Sequence, residues 1–268
     1  MGYFRDMAIV LKQEPFREHD AWITLFGETQ GKITSVARGC RKWSAKQLGH
    51  LEPFHIVEVM IAKGQAFDKL AVAKTVASAR PIRGSLPGLM IASALCSYIE
   101  VMTRPGLPEP AIFELLLEIL ALSGSPLTNA SPERVRFLIN VSAARFLGTQ
   151  GQLPERDVCT LCQKSMTERG AWDTARHGFM CESCFPSYHR GVGVIPLDPL
   201  GIRALRILDR LPLRDWLSVT MPVGVMQQSS LIIESWIEDA PLTPQSWGET
   251  RWQPWLSTLS RLTVPVAV

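Results

Sequence analysis

Four cysteines constrain this chain more than any other feature. Cys159 and Cys162 form one CxxC pair, Cys181 and Cys184 a second, with 18 residues between the pairs. This falls within the C-x2-C-x15–20-C-x2-C spacing of a closed zinc site. Each pair turns two thiolates toward one point, and the intervening segment lets a second knuckle complete a tetrahedron. A redox CxxC is the first rival, but two in tandem with no βαβ context argue against it. Two disulfides are the second rival and need an oxidising compartment. The start of the chain, MGYFRDMAIVLKQ, carries no apolar run of secretory length, so reduced thiols and a cytoplasmic location are expected. Four thiolates leave no open position for water or substrate. The expected single Zn2+ is therefore structural, and function has to be sought elsewhere. His177 and His189, within or just after the cluster, are read as solvent-facing.

At 268 residues the chain has room for two or three modest domains. No stretch offers 18 consecutive apolar residues, so no membrane span is expected. Charge is uneven. Residues 1–83 hold 13 Lys/Arg against 8 Asp/Glu, whereas the rest of the chain is slightly acidic. A basic N-terminal third suits a polyanion, most simply nucleic acid, although an ordinary solvated surface also accounts for it.

Residues 8–78 read as β. AIVLKQ is followed by DAWITLF and KITSVARG, joined by GETQG with turn-favouring glycine at both ends. FHIVEVMIAKG (54–64) and FDKLAVAKTVAS (67–78) form another pair, with Phe54, Ile56, Val57, Val59, Ile61, Leu70, Val72 and Val76 in a mostly period-two pattern. Five short strands and one longer connection fit an OB-fold barrel. From residue 85 the period is helical: LPGLMIASALCSYIEVM (86–102), EPAIFELLLEILALSG (109–124) and SPERVRFLINVSAARFLG (131–148). Ser131 reads as an N-cap, Pro132 as N1, and Gly148 as a stop. Helix resumes at 198–211 and 225–238. The expected architecture is α+β and multidomain: an OB-fold β-barrel over 1–80, a helical domain begun at 81–154 and completed at 189–268, and a four-cysteine zinc module over 155–188 inserted between them. Cys96 reads as a small core residue, and Cys40, in the basic linker, as open to solvent.

Enzyme signatures fail. GETQGKIT has three residues between its glycines, lacks the hydroxyl residue after the lysine, and joins two strands. HExxH and GxSxG are missing, and no nucleophile–base set stands out, so no catalytic residues are assigned. Binding features are stronger. The linker after the third strand holds Arg38, Arg41, Lys42 and Lys46 around Trp43, with Lys12 and Lys32 expected nearby. Cations neutralise phosphates and an aromatic ring stacks on an unpaired base, which suits single-stranded nucleic acid. The bland counterpart is a solvated loop with Trp43 packed on the barrel. Arg203, Arg206 and Arg210 fall on one helical face, either a solvated stripe or a second basic surface.

These features in this order resemble the RecO family of bacterial recombination mediators. The resemblance rests on AIVLKQ, on Gly31-Lys32 and Ala37-Arg38-Gly39 of the hairpin, and on Ser97-Tyr98-Ile99-Glu100. It continues through FLGTQGQLPERDVCTLC with Gly148, Pro154, Cys159 and Cys162, then Cys181 and Cys184, to a TVPVAV tail similar to deinococcal members. Many members carry glycine after the second cysteine, where this chain has Gln163, and some lack all four cysteines. The resemblance implies an OB-fold, a helical domain and an inserted zinc module. It also implies binding of single- and double-stranded DNA at the nucleoid, annealing of complementary strands, a complex with RecR, and help in loading RecA onto DNA coated by single-strand-binding protein. The alternative reading of the residues is a zinc-bearing scaffold whose basic barrel binds RNA or an acidic protein.

Overall fold

The computed structural model describes residues 2–43, 45, 47–127, 130–166, 168–188 and 193–240. The chain forms two compact units, Met1–Thr128 and Asn129–Val268.

The first unit is built on a closed, OB-like five-stranded barrel of β1 (Tyr3–Phe16), β2 (Asp20–Gly27), β3 (Gly31–Ala37), β4 (Ile56–Ala62) and β5 (Asp68–Ala77), in the order β1-β2-β3-β5-β4. β1 is longer than the expected strand because it serves two partners: Tyr3–Ile9 pairs with β4, and Ala8–Phe16 pairs with β2 past an irregularity at Val10/Lys12. Every ladder is antiparallel except the short parallel pairing of β3 with β5. Ala8, Val10, Ile23, Leu25, Ile33, Val57, Val59, Ile61 and Leu70 fill the interior. Leu51, from the connection after β3, is fully buried in this core.

The expected period-two pattern of the fifth strand needs correction. Register shifts in the β4–β5 ladder turn Ala73 inward, and Val72 and Val76 are exposed. Cys40 is likewise buried at the barrel end, not open to solvent, and burial raises its thiol pKa.

The β2–β3 hairpin shows why its glycines are there. Asp6 is buried and accepts from the amides of Thr29 and Gln30. A Cβ on Gly27 would lie 2.1 Å from the Asp6 carboxylate. Gly31 has φ +62, and a Cβ there would meet the Leu107 carbonyl oxygen at 1.8 Å. Three described α-helices complete this unit: α1 (Arg80–Arg83), α2 (Leu86–Met102) and α3 (Pro110–Ser123). Ser85 caps α2 by accepting from the Gly88 amide, and Cys96 is in the core.

In the second unit α4 (Pro132–Thr149) is capped by Ser131, as the sequence predicts, and runs one residue past Gly148. The cysteine region carries β6 (Gly170–Asp173), β7 (Gly178–Cys181) and the short α5 (Phe185–Tyr188), followed by β8 (Val194–Leu197). The three strands form one sheet in the order β7-β6-β8, so the module extends beyond residue 188. α6 (Pro199–Arg206) and α7 (Val223–Asp239) follow, and α7 packs along α4. In this division α2 and α3 fall in the unit of the barrel, and α4 and α7 in the other. No described helix is long and apolar enough to cross a membrane.

Candidate nucleic-acid interface and metal centre

The four cysteines converge as their spacing predicts. Their sulfur atoms all lie within 4.8 Å of one another, and Cys162 Sγ is 3.7 Å from Cys181 Sγ. Four sulfurs about 2.3 Å from a tetrahedral zinc stand about 3.8 Å apart, so the residues fit such an ion. The first knuckle closes through Cys159 N to Lys164 O (2.8 Å) and Gln163 N to Cys159 O (2.9 Å). The second is tied to the first by the Cys181 amide donating to Cys159 Sγ at 3.4 Å. The titration behaviour also suits a cation. The bond with the Ser183 hydroxyl draws Cys181 down to about 6, whereas Cys184, sharing hydrogen bonds with Cys181 and Cys162, is pushed up to about 12. Burial works to raise the Cys159 pKa, but backbone and side-chain hydrogen bonds outweigh it and likewise shift that thiol down, so Cys184 is the thiol that resists ionisation, a resistance that a metal ion would remove. His177 is no ligand: it is exposed and its Nδ1 pairs with Asp239 at 2.8 Å. His189 lies outside the described residues.

A hydrophobic anchor that the sequence reading missed holds this module to α7. Trp172 is fully buried, with ring centroids 4.9 Å from Phe179 and 5.6 Å from Trp236, and its Nε1 donates to Ser235 Oγ at 3.0 Å. The signal was a tryptophan in a short segment flanked by cysteines, and nothing in its spacing names a partner on α7.

The basic residues of the barrel separate into two groups. Arg38, Arg41, Lys42 and Trp43 stand on the turn that leaves β3, all exposed, and Trp43 has no packing on the barrel at 103% relative exposure. No described carboxylate pairs with these three cations. Lys46 lies outside the described residues. Lys12 is half-buried and already pairs with Glu14 at 2.8 Å, with Glu100 at 4.0 Å. Lys32 requires correction as a phosphate contact. It is buried, and its ammonium donates to the main-chain carbonyls of Glu100, at 2.6 Å, and Thr103. Burial lowers its pKa, against the opposing charges of Glu100 and Glu109.

The arginine stripe is corrected as well. α6 ends at Arg206, so Arg210 lies in the following turn. Arg203 pairs with Glu168 at 2.7 Å. Arg206 pairs with Asp157 at 3.0 Å and donates to the Met166 carbonyl at 2.9 Å. From the other side Arg156 grips Asp209 through two bonds of 3.1 and 3.0 Å. Burial works to raise the Asp209 pKa, but the Arg156 bonds and charge outweigh it and hold the carboxyl below its usual range. These residues brace the cysteine module against α6 and its C-terminal turn.

A family profile described as "Recombination protein O N terminal" matches residues 1–79, and one described as "Recombination protein O C terminal" matches residues 83–240. The chain belongs to the RecO family. Among its relatives, a "DNA repair protein RecO" of Myxococcus xanthus (strain DK1622) is 30% identical over 217 residues, 80% of this chain and 85% of that protein. The protein of the same name from Bacillus subtilis (strain 168) is 25% identical over 231 residues, 86% and 87% of the two chains. That of Desulfitobacterium hafniense (strain DSM 10664 / DCB-2) is 28% identical over 185 residues, 69% of this chain, and the match spans 65% of its own length. The boundary between the two RecO profiles falls at the end of the barrel, whereas the structural boundary falls after α3. Gln163 has φ +59, so this chain holds a β-carbon in a left-handed turn that favours glycine.

Proposed function

We propose that this protein is a non-enzymatic DNA-repair mediator that binds single- and double-stranded DNA and brings complementary strands together. The observation that carries the reading is the exposed turn Arg38–Trp43 on an OB-like barrel: three cations with no described carboxylate partner around an unpacked tryptophan. Cations of this kind neutralise phosphates and release counterions, which lowers the repulsion between two strands. The indole offers a stacking surface to a base. The names of the relatives place them in DNA repair, and this chain's family membership extends that role to it as a proposal. RecR as direct partner, and assistance in loading RecA onto DNA coated by single-strand-binding protein, belong to the same reading. The cysteine cluster is proposed to hold one Zn2+ with a structural task. An RNA or acidic-protein scaffold is the competing outcome.

The test is a fluorescence titration of labelled oligonucleotides at two or more salt concentrations, with wild type and the variant Arg38→Ala/Arg41→Ala/Lys42→Ala. Loss of up to three phosphate contacts should shallow the log–log salt slope for single strands by roughly 2, with the fold intact. A folded variant with unchanged affinity and slope would remove this surface from the proposal. Robust nucleotide hydrolysis that disappears with a point substitution in this chain would contradict the non-enzymatic part.

A further inference from the structure

An outward-facing aromatic cluster lies on the same barrel as the basic turn, and the sequence reading did not single it out. Phe16, at the end of β1, and Trp22, on β2, have ring centroids 4.9 Å apart. Phe67, just before β5, is 5.6 Å from Trp22 and 6.3 Å from Phe16, both edge to face. All three are half-buried while the inward neighbours Ala21 and Ile23 are enclosed, so the trio sits on the outer surface. Phe67 also lines an open cleft of about 600 Å3 with Arg38, Lys63, Gly64 and Lys69. Lys63 is neutralised by Asp68 at 2.8 Å. Arg38 and Lys69 have no described carboxylate partner. The register links the parts: Trp22 stands opposite Val36, and Val36 opposite Lys69.

We propose that this cleft and its aromatic border form a seat for unpaired bases and give the barrel a preference for single strands, while Arg41 and Lys42 serve single and double strands alike. The inference rests on the reading that the barrel binds nucleic acid. Its chemistry is specific. The faces of bases in a duplex are already stacked on one another, so recessed rings beside a cleft accept only bases that have left a stack. Arg38 and Lys69 flank the cleft as phosphate partners for the connecting backbone. A protruding turn, in contrast, reaches the phosphates of any strand without regard to pairing.

The experiment compares wild type, Phe67→Ala, Trp22→Ala and Arg41→Ala/Lys42→Ala in titrations with a fluorescent oligothymidylate and with a blunt duplex of equal length. Each ring deletion should weaken single-strand binding about tenfold and leave duplex binding within about twofold. The loop variant should weaken both. Because an aromatic deletion can disturb the barrel, a 5-iodouracil-substituted strand is also cross-linked to wild type and mapped by mass spectrometry. Adducts at Phe16, Trp22 or Phe67 support the seat. Adducts confined to Trp43, or folded ring variants that bind single strands like wild type, overturn it. So does an equal loss for duplex and single strand. Failure of wild type to bind either oligonucleotide overturns the proposed function itself, a result distinct from the others.

Discussion

The Lys32 ammonium donates to the main-chain carbonyl of Glu100 at 2.6 Å, so a residue at the start of β3 closes the last turn of α2. A cation at a helix C-terminus satisfies carbonyls that lack a partner and meets the negative end of the dipole. Lys32→Met should leave these carbonyls unpaired and destabilise the barrel unit by about 1–3 kcal/mol. Denaturant unfolding of the variant checks this. A pH arm gives the sign. Burial holds the folded pKa of Lys32 below its ordinary 10.5, so in that window the unfolded chain binds the proton more readily. The Lys32 contribution to stability therefore rises with pH, and the gap between wild type and variant should widen as pH approaches 10.5.

Protein purified without added metal should contain one zinc per chain by elemental analysis. Cys184→Ser should lose it, because metal affinity and folding of the module are coupled. Hydrogen exchange gives the spatial pattern. Protection should fall over 155–188 and, through the Arg206–Asp157 and Arg156–Asp209 pairs, over α6, while β2 and β3 keep theirs. Full zinc retention in the variant, or loss of barrel protection with it, would contradict this arrangement.

Gln163→Gly should stabilise the cysteine module. The left-handed conformation at φ +59 costs a residue bearing a β-carbon about 1–2 kcal/mol. The greater chain entropy of glycine when unfolded and the lost Gln163 Nε2 to Thr160 O bond (3.1 Å) offset part of this. A net gain of about 0.5 kcal/mol should appear as roughly twofold slower zinc release to a chelator. Faster release would show that the side-chain bond outweighs the backbone strain.

Between α4 and α7, Arg136 holds Glu234 through bonds of 2.7 and 2.5 Å, and Asn140 donates to the same carboxylate at 2.8 Å. Glu234→Ala strands a buried guanidinium and should cost about 3–5 kcal/mol. Glu234→Gln retains shape and part of the bonding, so its cost should be smaller. Thermal or denaturant unfolding of the two variants checks this; equal losses would show that the carboxylate charge carries the whole contribution and that its shape and packing add little.

Local chemistry was legible in the chain, and long-range partnership was not. The two CxxC pairs specified their own convergence because each knuckle is a short-range turn. GETQG specified a hairpin because both glycines answer steric demands, one from Asp6 and one from Leu107. Ser131 specified a helix start by the same local logic. Lys32 and Arg206 misled because charge in a sequence says nothing about where its counterpart sits. The partners are a carbonyl 68 residues away and a carboxylate on the other side of the cysteine module. Val72 and Val76 misled because a register shift moves side chains to the other face without changing composition. The aromatic trio was invisible for a related reason: Phe16, Trp22 and Phe67 lie on three segments that only the closed barrel assembles.

That closure has a weak line. β3 and β5 meet only through Ser35 with Asp68 and Val36 with Lys69, whereas the other ladders run nearly the length of a strand. The cylinder is zipped on four sides and buttoned on the fifth. Arg38 follows directly on β3 and Lys69 belongs to β5, so a polyanion touching both spans the buttoned side. Such a ligand acts as a suture, and its binding free energy adds to the barrel where the polypeptide's own hydrogen bonding is thinnest.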